Sequence, residues 1–286
     1  MISDITLGQF FPGASPIHKL DPRTKIILAT LFIVSVFVAK NPITFAFLTL
    51  FTVLLIIISR ISIKVILKSI KPLVFILIFT ALLNVFMTTS NGDPLVSFWI
   101  IKIYTEGIAR AAMMGLRVLI LIVGSSILLT YTTSPISLTD GLEALLSPLK
   151  VVKVPVHTFA MMMSIALRFI PTLIEETEKI MNAQKSRGAD FTSGSLMNRA
   201  KALVPLLIPL FVSSFKRAEE LATAMECRCY RGDKNRTKLV KLEYKARDFV
   251  FVSIFFVIMG GVICLAILPY KFNSFGIIYD IMFYRV

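Results

Sequence analysis

Residues 156–187 read VHTFAMMMSIALRFIPTLIEETEKIMNAQKSR, and the two halves of this run suit different solvents. From Val156 to Ile174 the only charge is Arg168; from Glu175 onwards charges recur, and the run ends at Ser186-Arg187-Gly188. At 1.5 Å per residue, residues 155–186 predict a helix of roughly 50 Å, apolar on most sides at its start and amphipathic at its end. A second run repeats the plan. Residues 203–212 are apolar and broken by Pro205 and Pro209, and a charged stretch then leads to Cys227-Arg228-Cys229, so a second long helix is expected over residues 195–228. Aligning Arg187 with Arg228 also superposes Glu178 on Glu219, Ile180 on Leu221 and Ala183 on Ala224.

The rest of the chain sets these helices in a membrane protein. Of 286 residues, 56% are hydrophobic and 17% charged, with a net charge of +14; soluble domains run at about 45–50% apolar and about 25% charged. Five membrane spans are predicted at residues 26–39, 43–59, 73–90, 108–131 and 249–268. The first, at about 21 Å, falls short of the ~30 Å hydrocarbon core, so it starts near Leu20 or meets thinned bilayer. Lys19, Arg23 and Lys25 precede it, and Arg60, Lys64, Lys68 and Lys71 follow the second. The positive-inside rule then puts the N-terminus inside and the C-terminus outside. More than half of the 31 Lys and Arg fall between Lys150 and Asp248. The expected fold is all-α and polytopic: residues 1–134 carry four spans, residues 135–248 form a cytoplasmic or interfacial domain with the two long helices, and residues 249–286 hold the last span and a tail. That tail, residues 271–286, is expected along the outer surface or returning into the membrane.

Spacing puts Arg60, Lys64, Lys68 and Lys71 on one face of a short interfacial helix, beside Val65, Ile66 and Ile70. That pattern fits either a stop-transfer cluster or a lipid-binding face. Arg110 and Arg117, seven apart on the fourth span, fit snorkelling, pairing with Glu106, or a protein-facing surface. Asp21-Pro22 reads as a helix N-cap followed by proline at the first helical position, and His157 as a polar residue near a helix start.

Several function classes drop out. Three cysteines cannot form a disulfide framework. Two histidines and no C-x-x-C pair give no metal site, and the methionines at 161–163 suit adaptable packing. No basic domain stands apart for nucleic acid, and no nucleophile–base pair, phosphate loop or cofactor motif marks an enzyme. A secondary transporter would carry carboxylates in its spans, and residues 26–39, 43–59, 73–90 and 249–268 have none. An ordinary ABC permease subunit is the nearer rival, but it presents coupling helices in short loops rather than as two long helices in one domain.

An arginine at a helix C-terminus gains about 0.3–1 kcal/mol from the helix dipole. Two of them, each between small side chains, also make forked anchors for carboxylates on a partner. Here the chain resembles the transmembrane T component (EcfT/CbiQ-like) of energy-coupling factor (ECF) transporters. The likeness lies in residues 166–173 and 183–190, in residues 203–211 with 218–232, and in the opening Gly8-Gln9-Phe10, Pro12-Gly13 and His18-Lys19-Leu20-Asp21-Pro22-Arg23-Thr24-Lys25. The resemblance implies a non-catalytic scaffold in the cell membrane of a prokaryote, working with two ATP-binding-cassette ATPases and a small substrate-binding membrane subunit for a vitamin or transition metal. It implies ATPase docking by Ser186, Arg187, Gly188, Cys227, Arg228 and Cys229. The family pattern at the tips is Ala-Arg-Gly. Cys229 in place of glycine moves the expected left-handed turn to Gly232. Ile165, Phe169, Leu206 and Leu210 are the expected resting surface for the substrate-binding subunit, with both apolar helix halves at the bilayer end of a lever and both arginines at the other.

Overall fold

A computed structural model describes residues 10–39, 41–87, 96–98, 101–189, 191, 195–230, 232 and 242–267. Gly8, Gln9, Lys40, Asp190, Arg231, Asp233, the predicted span ends at Ser90 and Leu268, and the tail 271–286 lie outside these residues. In chain order the helices are α1 Pro22–Val38, α2 Pro42–Ser59, α3 Ile63–Ile70, α4 Val74–Met87, α5 Thr105–Ser125, α6 Pro135–Leu145, α7 Val156–Ser186, α8 Leu196–Cys227 and α9 Ala246–Ile267. The architecture is all-α apart from a short antiparallel hairpin, β1 Val96–Phe98 with β2 Ile101–Ile103. The chain divides into two compact units, 10–141 with 242–267 and 142–232 among the described residues.

In the first unit α1 is the central helix. It is hydrophobic around its circumference, as suits a helix enclosed by neighbours. Leu28, Ala29, Phe32 and Val36 are at most 1% exposed, and the helix packs on α5 and α9. Gly124 of α5 permits this approach, because a Cβ there would lie 2.2 Å from the Phe32 ring. Lipid tails are as apolar as leucine, so close packing and satisfied polar groups, rather than exclusion from water, hold such helices together. Accordingly Thr30, Ser35, Thr49, Thr52, Ser125 and Thr132 each donate to the carbonyl four residues earlier. Arg117 finds a specific use: its guanidinium donates to the Ala39 carbonyl at the end of α1 (2.8 Å) and lies over the Phe45 ring.

Among the described residues, five helices are long and apolar enough to cross a membrane: Pro42–Ser59, Ile63–Met87, Gly107–Tyr131, Val156–Ser186 and Ala246–Cys264. Four coincide with predicted spans. The first predicted span is absent from this set because α1 has 17 residues, about 25 Å; it packs on α5 and α9 and leaves Ile27, Val34 and Phe37 exposed. The fifth helix of this set is α7, which qualifies by its length and composition.

The opening sequence folds into a buried polar knot. Asp21 caps α1 by accepting from the Arg23 amide, with Pro22 first in the helix, as its sequence predicts. Lys25, 2% exposed, donates to the carbonyls of His18 and Thr132. The His18 Nε2–H donates to the Phe11 carbonyl, which leaves Nδ1 to accept from the Ser15 hydroxyl. Burial lowers the His18 pKa, the Phe11 carbonyl pulls the other way, and the Lys25 charge lowers it further, so the ring is neutral. A π-helical turn, Ser126–Tyr131, ends α5 and brings Tyr131 against Phe11 and Ser69. Asp248 then ties two helix starts together. One carboxylate oxygen accepts from the Lys245 amide at the head of α9, in the manner of a capping box; the other accepts from the Asp21 amide, 227 residues away in sequence.

Candidate coupling site: two arginine-capped helix tips

The second unit holds α7 and α8, whose bounds fall within a residue or so of the predicted 155–186 and 195–228. Pro171, Pro205 and Pro209 are accommodated inside continuous helices. At the start of α7, His157 is 8% exposed and its Nδ1 lies 2.9 Å from Glu143 on α6.

The two long helices run antiparallel. Glu176, past the middle of α7, accepts from Ser213 (2.8 Å) and from the Arg217 guanidinium in the middle of α8. Tyr230, just beyond α8, donates to the Met161 sulfur near the start of α7. Met161 stands level with the α8 tip and Arg187 is 26 residues further along α7, so the two arginines sit roughly 40 Å apart, at opposite ends of the pair. This corrects the lever expectation: the apolar half of each helix lies beside the charged half of the other, and the apolar halves do not share one end. Sequence shows the polarity of each helix but not their relative direction. The one signal for it in the sequence is the complementary charge of Glu176 and Arg217.

The two tips are built alike. In each, the arginine is the last, half-helical residue; the next residue is left-handed, and the amide after it reaches back five residues. The Gly188 amide donates to Lys185 O and the Ala189 amide to Gln184 O; 41 residues on, the Cys229 amide donates to Glu226 O and the Tyr230 amide to Met225 O. These are paired Schellman caps. Gly188 has φ +86° and Cys229 φ +57°. The predicted displacement of the second turn to Gly232 is therefore overturned, although Gly232 also has a positive φ. The two bonds that close the helix outweigh the roughly 1–2 kcal/mol that an L-residue forfeits in this region. Cys229→Gly should relieve that cost and stabilise the tip by about 1 kcal/mol, which slower amide exchange at Cys229 and Tyr230 would report.

Ser186, Arg187, Gly188, Cys227, Arg228 and Cys229 are all exposed, and among the described residues no ion pair engages either guanidinium. The predicted resting surface is partly open at three of its four residues. Leu206 is buried at 4%, and Ile165, Phe169 and Leu210 are half-buried. The apolar residues that face outwards are one step round each helix, above all Phe159 and Met163 on α7 and Leu207, Phe211 and Phe215 on α8. The apolar run was legible as a whole, but the absence of a clean period inside it hid which face was open.

Residues 13–239 match the family CbiQ, cobalt transport protein. The chain is 52% identical over 250 residues to a Clostridium kluyveri protein named "Energy-coupling factor transporter transmembrane protein EcfT", covering 87% of this chain and 92% of that one. It is 51% identical over 263 residues to the protein of that name from Ruminiclostridium cellulolyticum, covering 92% and 97%. Against the Bacillus subtilis protein, again of that name, it is 50% identical over 248 residues, covering 87% and 93%. With helices apolar enough to span and relatives matched along almost their whole length, the chain is a multi-pass membrane protein that belongs to the CbiQ family, the family of these energy-coupling factor transmembrane components.

Proposed function

We propose that this chain is the scaffold through which two ATP-binding-cassette ATPases drive a small substrate-binding membrane subunit in uptake of a vitamin or transition metal. The observation that carries the reading is the pair of exposed, identically capped arginines at opposite ends of one antiparallel helix pair. Residues 135–248 work on the cytoplasmic side. Each tip offers a fixed fork of donors to an acidic groove on one ATPase, and small neighbours at 186, 188, 227 and 229 let that groove close around it. A separation of about 40 Å fits two separate subunits rather than two contacts on one. ATP hydrolysis belongs to those subunits, and this chain transmits their motion. An ordinary permease subunit, the rival reading, would offer no such paired tips.

Purification of the chain from its own membranes in mild detergent tests this. Two ATPases and one small apolar protein should accompany it; a homodimer alone would sink the proposal. The outward apolar face of α8 is the seat of the substrate-binding subunit. Leu207→Glu or Phe211→Glu should therefore cut capture of that subunit at least tenfold while the ATPases remain bound. If the ATPases leave first, the seat is elsewhere.

A further inference from the structure

The cationic stripe of α3 remains unused by everything above. We infer that α3 is an anionic-phospholipid site, in which Arg60, Lys64, Lys68 and Lys71 hold headgroup phosphates while Ile63 and Leu67 rest among the acyl chains.

Three observations meet here. First, all four cations are exposed, and no ion pair among the described residues reaches them. The sequence supplies no local counter-charge either, since not one Asp or Glu occurs between Asp21 and Asp93. Second, α3 turns a single residue, Ile66, fully inwards, while Ile63 and Leu67 are 65% and 60% exposed. At 100° per residue, positions 63, 67 and 70 form an apolar stripe beside the cationic positions 64, 68 and 71, so two neighbouring faces of one helix ask for two different surroundings, and Arg60 at the end of α2 adds a fourth cation just before it. Third, α3 continues through a tight turn into α4, giving the 25-residue span Ile63–Met87, and none of its apolar window is buried inside the protein. A span that packs on α5 along one side and meets lipid on the other places its first turns at the headgroup level.

Charge complementarity then selects the occupant. Four cations between residues 60 and 71 match the phosphates of anionic lipids, and the adjoining apolar stripe distinguishes a lipid from a free anion. Arg60, held in a left-handed conformation at the end of α2, also lines a cavity of about 330 Å³ with Ser15, His18 and Ser62. That is far more space than the roughly 10–15 Å³ that one water needs.

The experiment uses the full chain, purified in detergent with equal amounts of phosphatidylglycerol and phosphatidylcholine, and counts retained lipids by native mass spectrometry. The wild type should retain phosphatidylglycerol in preference by tenfold or more, with the preference falling in 0.5 M salt. Each cation removed should cost about fivefold in apparent affinity. Arg60→Gln/Lys64→Gln/Lys68→Gln/Lys71→Gln should abolish the preference with an unchanged melting temperature, and Lys64→Gln/Lys68→Gln should lie between. An unaltered preference in the four-site variant would overturn the inference. So would loss of co-purifying subunits with lipid retention intact, which would make the stripe a protein-docking face. Displacement of the lipid by glycerol phosphate alone would overturn it too, in favour of a free-anion site.

Discussion

Arg187→Glu together with Arg228→Glu is expected to abolish uptake and to release both ATPases in pull-downs, with membrane insertion unchanged. Both side chains are exposed C-caps, so reversing them leaves the hydrogen bonds of the caps in place and costs the fold no more than the dipole attraction, about 0.3–1 kcal/mol each. At a docked interface the balance differs. Removing one member of a buried, hydrogen-bonded charge pair costs about 2–5 kcal/mol, and reversal adds repulsion from the acidic groove. Arg→Lys at both tips should retain part of the function, since lysine keeps the charge but loses the fork. A double reversal that assembles and transports normally would refute docking through these residues. Because the tips stand at opposite ends of the pair, each single reversal should release one ATPase more readily than the other.

Asp248→Ala should be the most damaging single change in the first unit. Asp248 is 3% exposed, and its two oxygens accept from amides at the heads of α1 and α9. Truncation leaves the buried Asp21 amide unpaired, at about 1–3 kcal/mol, removes the cap of α9, at about 1 kcal/mol, and takes a compensating charge away from buried Lys25. The sum, on the order of 3–5 kcal/mol, is comparable with breaking a buried ion pair. Asp248→Asn keeps one acceptor oxygen and should lose about half as much. Thermal unfolding in detergent would rank wild type above Asn above Ala, and equal melting temperatures for all three would show that the knot is dispensable.

The two long helices and their arginine ends were legible because composition switches sharply at residues 174 and 212, and because Gly188 marks a chain reversal. Their antiparallel pairing was not, since it depends on which turns of α7 and α8 meet, and a pattern read along one helix carries no sign for that. Leu206 was misassigned for a related reason: in a run apolar on most sides, hydrophobicity does not distinguish the face turned to a neighbouring helix from the face turned outwards. The N-terminal segment shows the reverse case. Asp21-Pro22 declared a cap locally, whereas its link to Asp248 spans 227 residues and leaves no periodic trace. Hydropathy marks the first span but not that α5 and α9 cover much of it.

The matched caps have a geometrical consequence. An antiparallel pair of helices whose ends carry the same hydrogen bonds, 41 residues apart in sequence, is close to its own image under a half-turn about an axis between them. A single polypeptide thereby presents a local twofold element. Two similar proteins related by such an axis would meet the same backbone twice, and would find a difference only in side chains, among them glycine at one tip against cysteine at the other. Any preference of one partner for one end must then be written in Gly188 against Cys229, and in the side chains just behind them, rather than in the shape of the tips.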